Sequence, residues 1–158
     1  MKYLKQILSV VLCLSLVLCL PVGASAATLD RTEDYIEFIT DDERLTKDGD
    51  FEFNITQWVK TKVFTADSNK ITICTAARIK DGTVSHTDPS VKFIVSLYKA
   101  ATGERVAAYQ AYADDIYGGR TFDVVSGAKY YIKVEIAPGQ LYGSERLNGY
   151  GRVSPIHL

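Results

Sequence analysis

Histidine is almost missing from this chain, and with it goes most zinc and nucleophile chemistry. His86 and His157 are the only two. Neither lies in a ligand-spaced pair or beside a serine or cysteine nucleophile, as zinc coordination or base-assisted attack would require, so both read as surface residues and no metal, cofactor or catalytic residue is assigned. Basic runs are missing too: 18 Lys and Arg are interspersed with 19 Asp and Glu. That pattern argues against nucleic acid and anionic membrane surfaces as partners. There is no heptad pattern, no repeated block and no Pro-rich linker. Four prolines in the whole chain leave room for continuous strands.

One long apolar run is present, at the N-terminus. Met1, Lys2 and Lys5 precede a nearly unbroken apolar stretch from Ile7 to Leu20; Pro21, Val22 and Gly23 end it, and Ala24-Ser25-Ala26 follows as a small-x-small site. This is the signature of a secretory signal peptide, here residues 1–27, cleaved after Ala26 or Ala27. The 14 residues of the run reach only about 21 Å as a helix, against a hydrocarbon core of about 30 Å. Leucine precedes both Cys13 and Cys19, where a bacterial lipoprotein signal needs a small residue. The protein is therefore expected to be secreted, without lipid and without a membrane span after processing.

Cleavage removes two of the three cysteines and leaves Cys74, so no intrachain disulfide can form. Stability has to come from apolar burial, for which a domain of this size suffices. Lys2 and Lys5 also leave, so 16 basic groups face 19 acidic ones, a net charge of −3.

Residues 28–34 are polar and read as a flexible leader. From residue 35 to 158 the text alternates apolar and polar residues, most plainly in Phe51-Glu52-Phe53-Asn54-Ile55-Thr56, a period of two that buries one face of a strand. The same alternation marks strands at Ile71 to Ile79, Val91 to Tyr98, Arg105 to Tyr112, Thr121 to Val125 and Tyr130 to Ile136. Shorter candidates are Tyr35 to Ile39, Trp58 to Phe64 and Leu147 to Val153. Asp48-Gly49, Asp81-Gly82, Thr102-Gly103, Gly118-Gly119, Ser126-Gly127 and Pro138-Gly139 punctuate them as turns. The expected fold is all-β: one antiparallel β-sandwich, jelly-roll or Ig-like, of about eight or nine strands. Its core residues would be Phe51, Phe53, Ile55, Ile71, Ile73, Val91, Phe93, Val95, Leu97, Tyr130, Ile132, Val134 and Ile136, with Glu52, Lys92, Lys133 and Glu135 facing water.

Two segments carry a family resemblance. Leu97-Tyr98-Lys99-Ala100-Ala101-Thr102-Gly103-Glu104-Arg105-Val106 is similar to the strand, glycine turn and strand of bacterial secreted sandwich domains of the pre-peptidase C-terminal type. Val125-Ser126-Gly127-Ala128-Lys129-Tyr130-Tyr131-Ile132-Lys133-Val134 resembles the turn and tyrosine-bearing penultimate strand of that family. With Leu147 to Val153 as a last strand, the likeness covers about residues 70–153 and extends to carbohydrate-binding modules. It implies an exported binding domain. Calcium-binding members carry alternating aspartates on the strand before the Leu-Tyr pair, and Ser90 to Ser96 has none, so calcium binding is not implied here.

The remaining candidates are weak in themselves. Asp41-Asp42-Glu43 and Asp114-Asp115 are adjacent acids, but neighbours on a strand face opposite ways and cannot be assumed to form a glycosidase pair; the chain is not expected to be an enzyme. Asn54-Ile55-Thr56 has N-glycosylation spacing on a strand and receives no role. Cys74 reads as a partly buried small side chain. Tyr109, Tyr112, Asp114, Asp115 and Tyr117 gather around Gly118-Gly119, and tyrosine combines a large rigid face with a polar tip. Tyr112, Asp114, Asp115 and Tyr117 are the candidate ligand-binding residues. Trp58 shares its phase with Lys60 and Lys62 and could serve either core or surface. The function expected is a non-catalytic secreted module binding glycan or cell-envelope polymer; the alternative is an extracellular structural or protein-interaction domain.

Overall fold

A computed structural model describes residues 33–39 and 49–158. The expected signal peptide, the expected leader up to Thr32 and the acids Asp41 to Glu43 lie outside them. The described chain is built of antiparallel strands: β1 (Tyr35–Phe38), β2 (Asp50–Ile55), β3 (Trp58–Lys60), β4 (Phe64–Ala66), β5 (Lys70–Asp81), β6 (Val84–His86), β7 (Asp88–Lys99), β8 (Arg105–Ala113), β9 (Gly118–Asp123), β10 (Lys129–Ile136), β11 (Glu145–Ser154) and β12 (Ile156–His157).

The first sheet runs β1-β2-β11-β5, with β6 and β9 sharing the far side of β5. The second runs β12-β4-β10-β7-β8, with β3 beside β4 on β10. Apart from the β3–β4 step, the β7–β8 hairpin and the short β6, the chain changes sheet at each step from β2 to β11. The cores β2-β11-β5-β9 and β4-β10-β7-β8 are the two sheets of a jelly roll. The Ig-like alternative, with strands A, B, E and D against C, F and G, does not form.

Twelve strands stand where the alternation suggested eight or nine, for local reasons. The Trp58 to Phe64 segment breaks in two because Thr61 turns its side chain into the ladder: Thr61 N–H donates to the Ile132 carbonyl, while the Ile132 N–H is taken by Thr61 Oγ1 at 3.0 Å. The stretch around His86 adds β6, which folds back onto Ile79–Asp81 through Gly82 at φ 56°. At the C-terminus, β12 pairs with Ala66 and Thr65.

All thirteen expected core residues are buried between the sheets, and Glu52, Lys92, Lys133 and Glu135 point outward. Two aromatic pairs in the centre meet edge to face. Phe38 meets Phe51 at 6.2 Å and 82°, and Phe64 at 6.0 Å and 87°, the geometry that ring quadrupoles favour. Phe64, Leu147, Val153 and Ile156 complete the core. Cys74 is a free thiol on the outer face of β5, partly covered.

Candidate functional site

The tyrosines and acids around Gly118-Gly119 do not converge. Tyr109 points into the core, where its hydroxyl shares a hydrogen bond with Thr75 Oγ1 at 3.0 Å; burial raises its pKa well above the usual tyrosine value. Tyr112, 40% exposed, lies on the outer face of the second sheet, its hydroxyl accepting from Gln110 Nε2. Tyr117, 50% exposed, stacks on Tyr150 at 5.8 Å on the outer face of the first. Between them Asp114 Oδ1 accepts from the Ile116 N–H, and Asp115, at φ 61°, donates its N–H to the Ala77 carbonyl and pairs with Arg78 at 2.7 Å. The two acids build the corner by which the chain crosses from one sheet to the other. Tyr112 and Tyr117 are thus sent to opposite sides of the sandwich.

A more coherent assembly surrounds Trp58. This indole, the only one in the chain, is 52% exposed at the edge of the second sheet. It lines a cleft of about 470 Å³ with Thr56, Gln57, Glu135, Leu141 and Glu145, a volume within the range of small-ligand sites. One wall is the β2–β3 turn. Asp34, at the end of the segment read as a leader, fixes it by accepting from Thr56 N–H at 2.9 Å and Gln57 N–H at 3.1 Å, and is itself held by Arg146 at 2.6 Å. The opposite wall is the loop from Ala137 to Ser144. Gly139 and Gly143 there take φ values of 79° and 57°, which side chains with a Cβ rarely adopt. The loop is pinned where Gln140 Oε1 accepts from Lys92 N–H and Glu145 Oε2 from Tyr142 N–H. Between the glycines Tyr142 stands 76% exposed.

The cleft opens onto the outer face of the second sheet, whose register arranges side chains in rows. Trp58 is opposite Glu135, and Glu135 opposite Ile94. Lys60 is opposite Lys133, and Lys133 opposite Ser96; the next row holds Tyr131 and Tyr98. The last two rings are stacked at 5.2 Å and 3°. The Lys133 ammonium lies 5.2 Å from the Trp58 ring centroid and Lys60 lies 5.6 Å from that of Tyr131, and Lys133 is also ion-paired with Glu135. Rings, ammonium groups and a carboxylate thus share one surface, with a walled cleft at its end.

Two other concavities are less suited to a ligand. Around Tyr117 and Tyr150 the polar groups Arg152 and Asp50 are bonded to each other, which raises the arginine pKa further. A shallow groove follows β8 and is lined by Ile94 and Arg105 through Gln110. His157 Nδ1 is hydrogen-bonded to Asp67 Oδ1, and Asn54, in the glycosylation-like triplet, is 6% exposed and accepts from Arg146 Nε at 3.0 Å. No group of three or more metal-ligating side chains occurs among the described residues.

Trp58 was within reach of the sequence through its shared phase with Lys60. Tyr142 had a usable signal in its place between two glycines of a loop. The cleft itself had none, because the turn at Thr56 and the loop at Ala137 are far apart in the chain. No family model and no curated protein matches the chain.

Proposed function

We propose that this domain is an exported, non-catalytic binding module whose ligand is a glycan or cell-envelope polymer, held at the Trp58 cleft and along the adjoining outer face of the second sheet. The observation that carries this reading is the half-exposed indole in a cleft lined by two carboxylates and an amide. A sugar ring offers an apolar C–H face to the indole and hydroxyls to Glu135, Glu145 and Gln57, and both kinds of contact are needed to bind so hydrated a ligand. The carboxylates already serve as acceptors, Glu135 for Lys133 and Glu145 for a loop amide. This supports a binding role over acid–base chemistry.

A polysaccharide array probed with the parent protein and with Trp58→Ala tests the reading. Parent binding should be lost or weakened about tenfold in the variant, the equivalent of about 1.4 kcal/mol. A Tyr112→Ala, Tyr117→Ala double variant should bind as the parent does. Equal binding by parent and Trp58→Ala would remove the cleft from consideration.

The protein-interaction reading has one observation in its favour. β8 is nine residues long, pairs among the described residues with β7 alone and carries no charge beyond Arg105. Such an edge is open to strand addition. Ala108→Lys would block it and should abolish any self-association or partner capture that runs through β8, read by sedimentation.

A further inference from the structure

The middle row of the outer face contains an electrostatic conflict. Lys60 and Lys133 are direct cross-strand partners, and like charges placed opposite each other weaken a sheet. The fold spreads the two ammonium groups over the rings of Tyr131 and Trp58 and gives Lys133 a carboxylate, Glu135. Among the described residues Lys60 has no carboxylate of its own. The positive charge is local, because the whole chain carries slightly more acids than bases.

The third member of the row is a separate anomaly. Ser96 is completely buried, and among the described residues its Oγ has no hydrogen-bond partner. Strand alternation turns it to the outer face, between the outward residues Ile94 and Tyr98 and opposite Lys133. What covers it is therefore the layer of side chains on that face. A buried hydroxyl left unpaired is costly, and native structures seldom keep one without a reason.

We infer that the ligand of this face is anionic: a polymer bearing carboxylate or phosphodiester groups, one of which seats between Lys60 and Lys133, displaces the side chains that cover Ser96 and accepts a hydrogen bond from its Oγ. The anion resolves the lysine conflict and supplies the serine with its missing acceptor. Residues of the polymer on either side lie against Trp58 and Tyr131, whose rows frame the lysine row. This rests on the glycan-binding reading above and specifies the ligand class for the same surface.

Calorimetric titration with matched polymers tests it. The probes are polygalacturonate, its fully methyl-esterified neutral form, and poly(glycerol phosphate), so that uronate and phosphate sources are told apart. At least one anionic polymer should bind, and the neutral ester should bind at least about tenfold more weakly. Binding should fade between about 0.1 M and about 1 M salt, where the screening length drops from about 10 Å to about 3 Å. Lys60→Gln and Lys133→Gln should each weaken it about tenfold. Ser96→Ala should weaken it while melting no lower than the parent, a combination that a purely structural serine would not give. Equal affinity for polygalacturonate and its neutral ester would overturn the anionic inference and leave the glycan reading standing. Binding of none of the three polymers, with a neutral glycan bound on an array, would do the same. Failure to bind any glycan in either experiment would end both.

Discussion

Tyr109 couples the stability of the sandwich to pH. Its hydroxyl is enclosed between β8 and β5 beside Thr75, and removal from water raises its pKa. In the unfolded chain the same group ionises near the usual value of about 10. Between those two values the unfolded state has lost a proton that the folded state keeps, so stability must fall as pH rises above about 10. Urea denaturation at a series of pH values should show this decline, and Tyr109→Phe should flatten it; an unchanged slope in the variant would assign the alkaline loss elsewhere. Phe93 is a simpler case. It is fully buried and meets Phe53 at 6.0 Å, so Phe93→Ala should cost about 3–5 kcal/mol in the same assay. Both inward positions follow the alternation in their strands, and Phe93 could be named from it. The enclosure of Tyr109 was less plain, because tyrosine also suits a half-wet face. Its neighbours Ala111 and Ala113 are too small to mark the buried side strongly.

Among the elements, β11 shows a packing constraint that no periodicity announces. Its inward positions include Gly149 and Gly151, paired with Phe53 and Phe51 of β2. A Cβ on Gly149 would stand 2.4 Å from the Phe53 ring and 2.6 Å from the Ala76 carbonyl oxygen; one on Gly151 would meet the Phe51 ring at 2.5 Å. The rings occupy the space these residues leave, so glycine is required by close approach. Gly149→Ala should cost about 1–3 kcal/mol by overpacking, and an unchanged midpoint in urea would show that the Phe53 ring can move aside. The strand could be read from Leu147 and Val153 at its ends, but its glycines look like interruptions until the partner rings are seen. The corner at Asp114-Asp115 was opaque for another reason. Alternation tells whether a side chain points in or out, but it does not tell which sheet a strand joins. A left-handed aspartate is enough to send Tyr112 and Tyr117 to opposite faces.

At the scale of the molecule, the jelly-roll crossing brings together pieces that the chain keeps apart. The β2–β3 turn, the end of β10 and the loop before β11 meet at one end of the second sheet. The aromatic and lysine rows start there and run across β3, β10 and β7. The all-β class, its core and its two-layer form were legible from alternation and turn residues. The binding surface was not, because it depends on cross-strand register, a non-local property. Trp58 offers the most direct test, since it is the only indole in the chain and lies at the proposed contact. The measurement is its fluorescence during titration with the polymers bound on the array. The free protein should emit at the long wavelength of a water-exposed indole. A bound ligand should shift that emission to shorter wavelength, with a midpoint equal to the calorimetric one. Saturable binding by calorimetry with no change in indole emission would contradict a ligand site at Trp58.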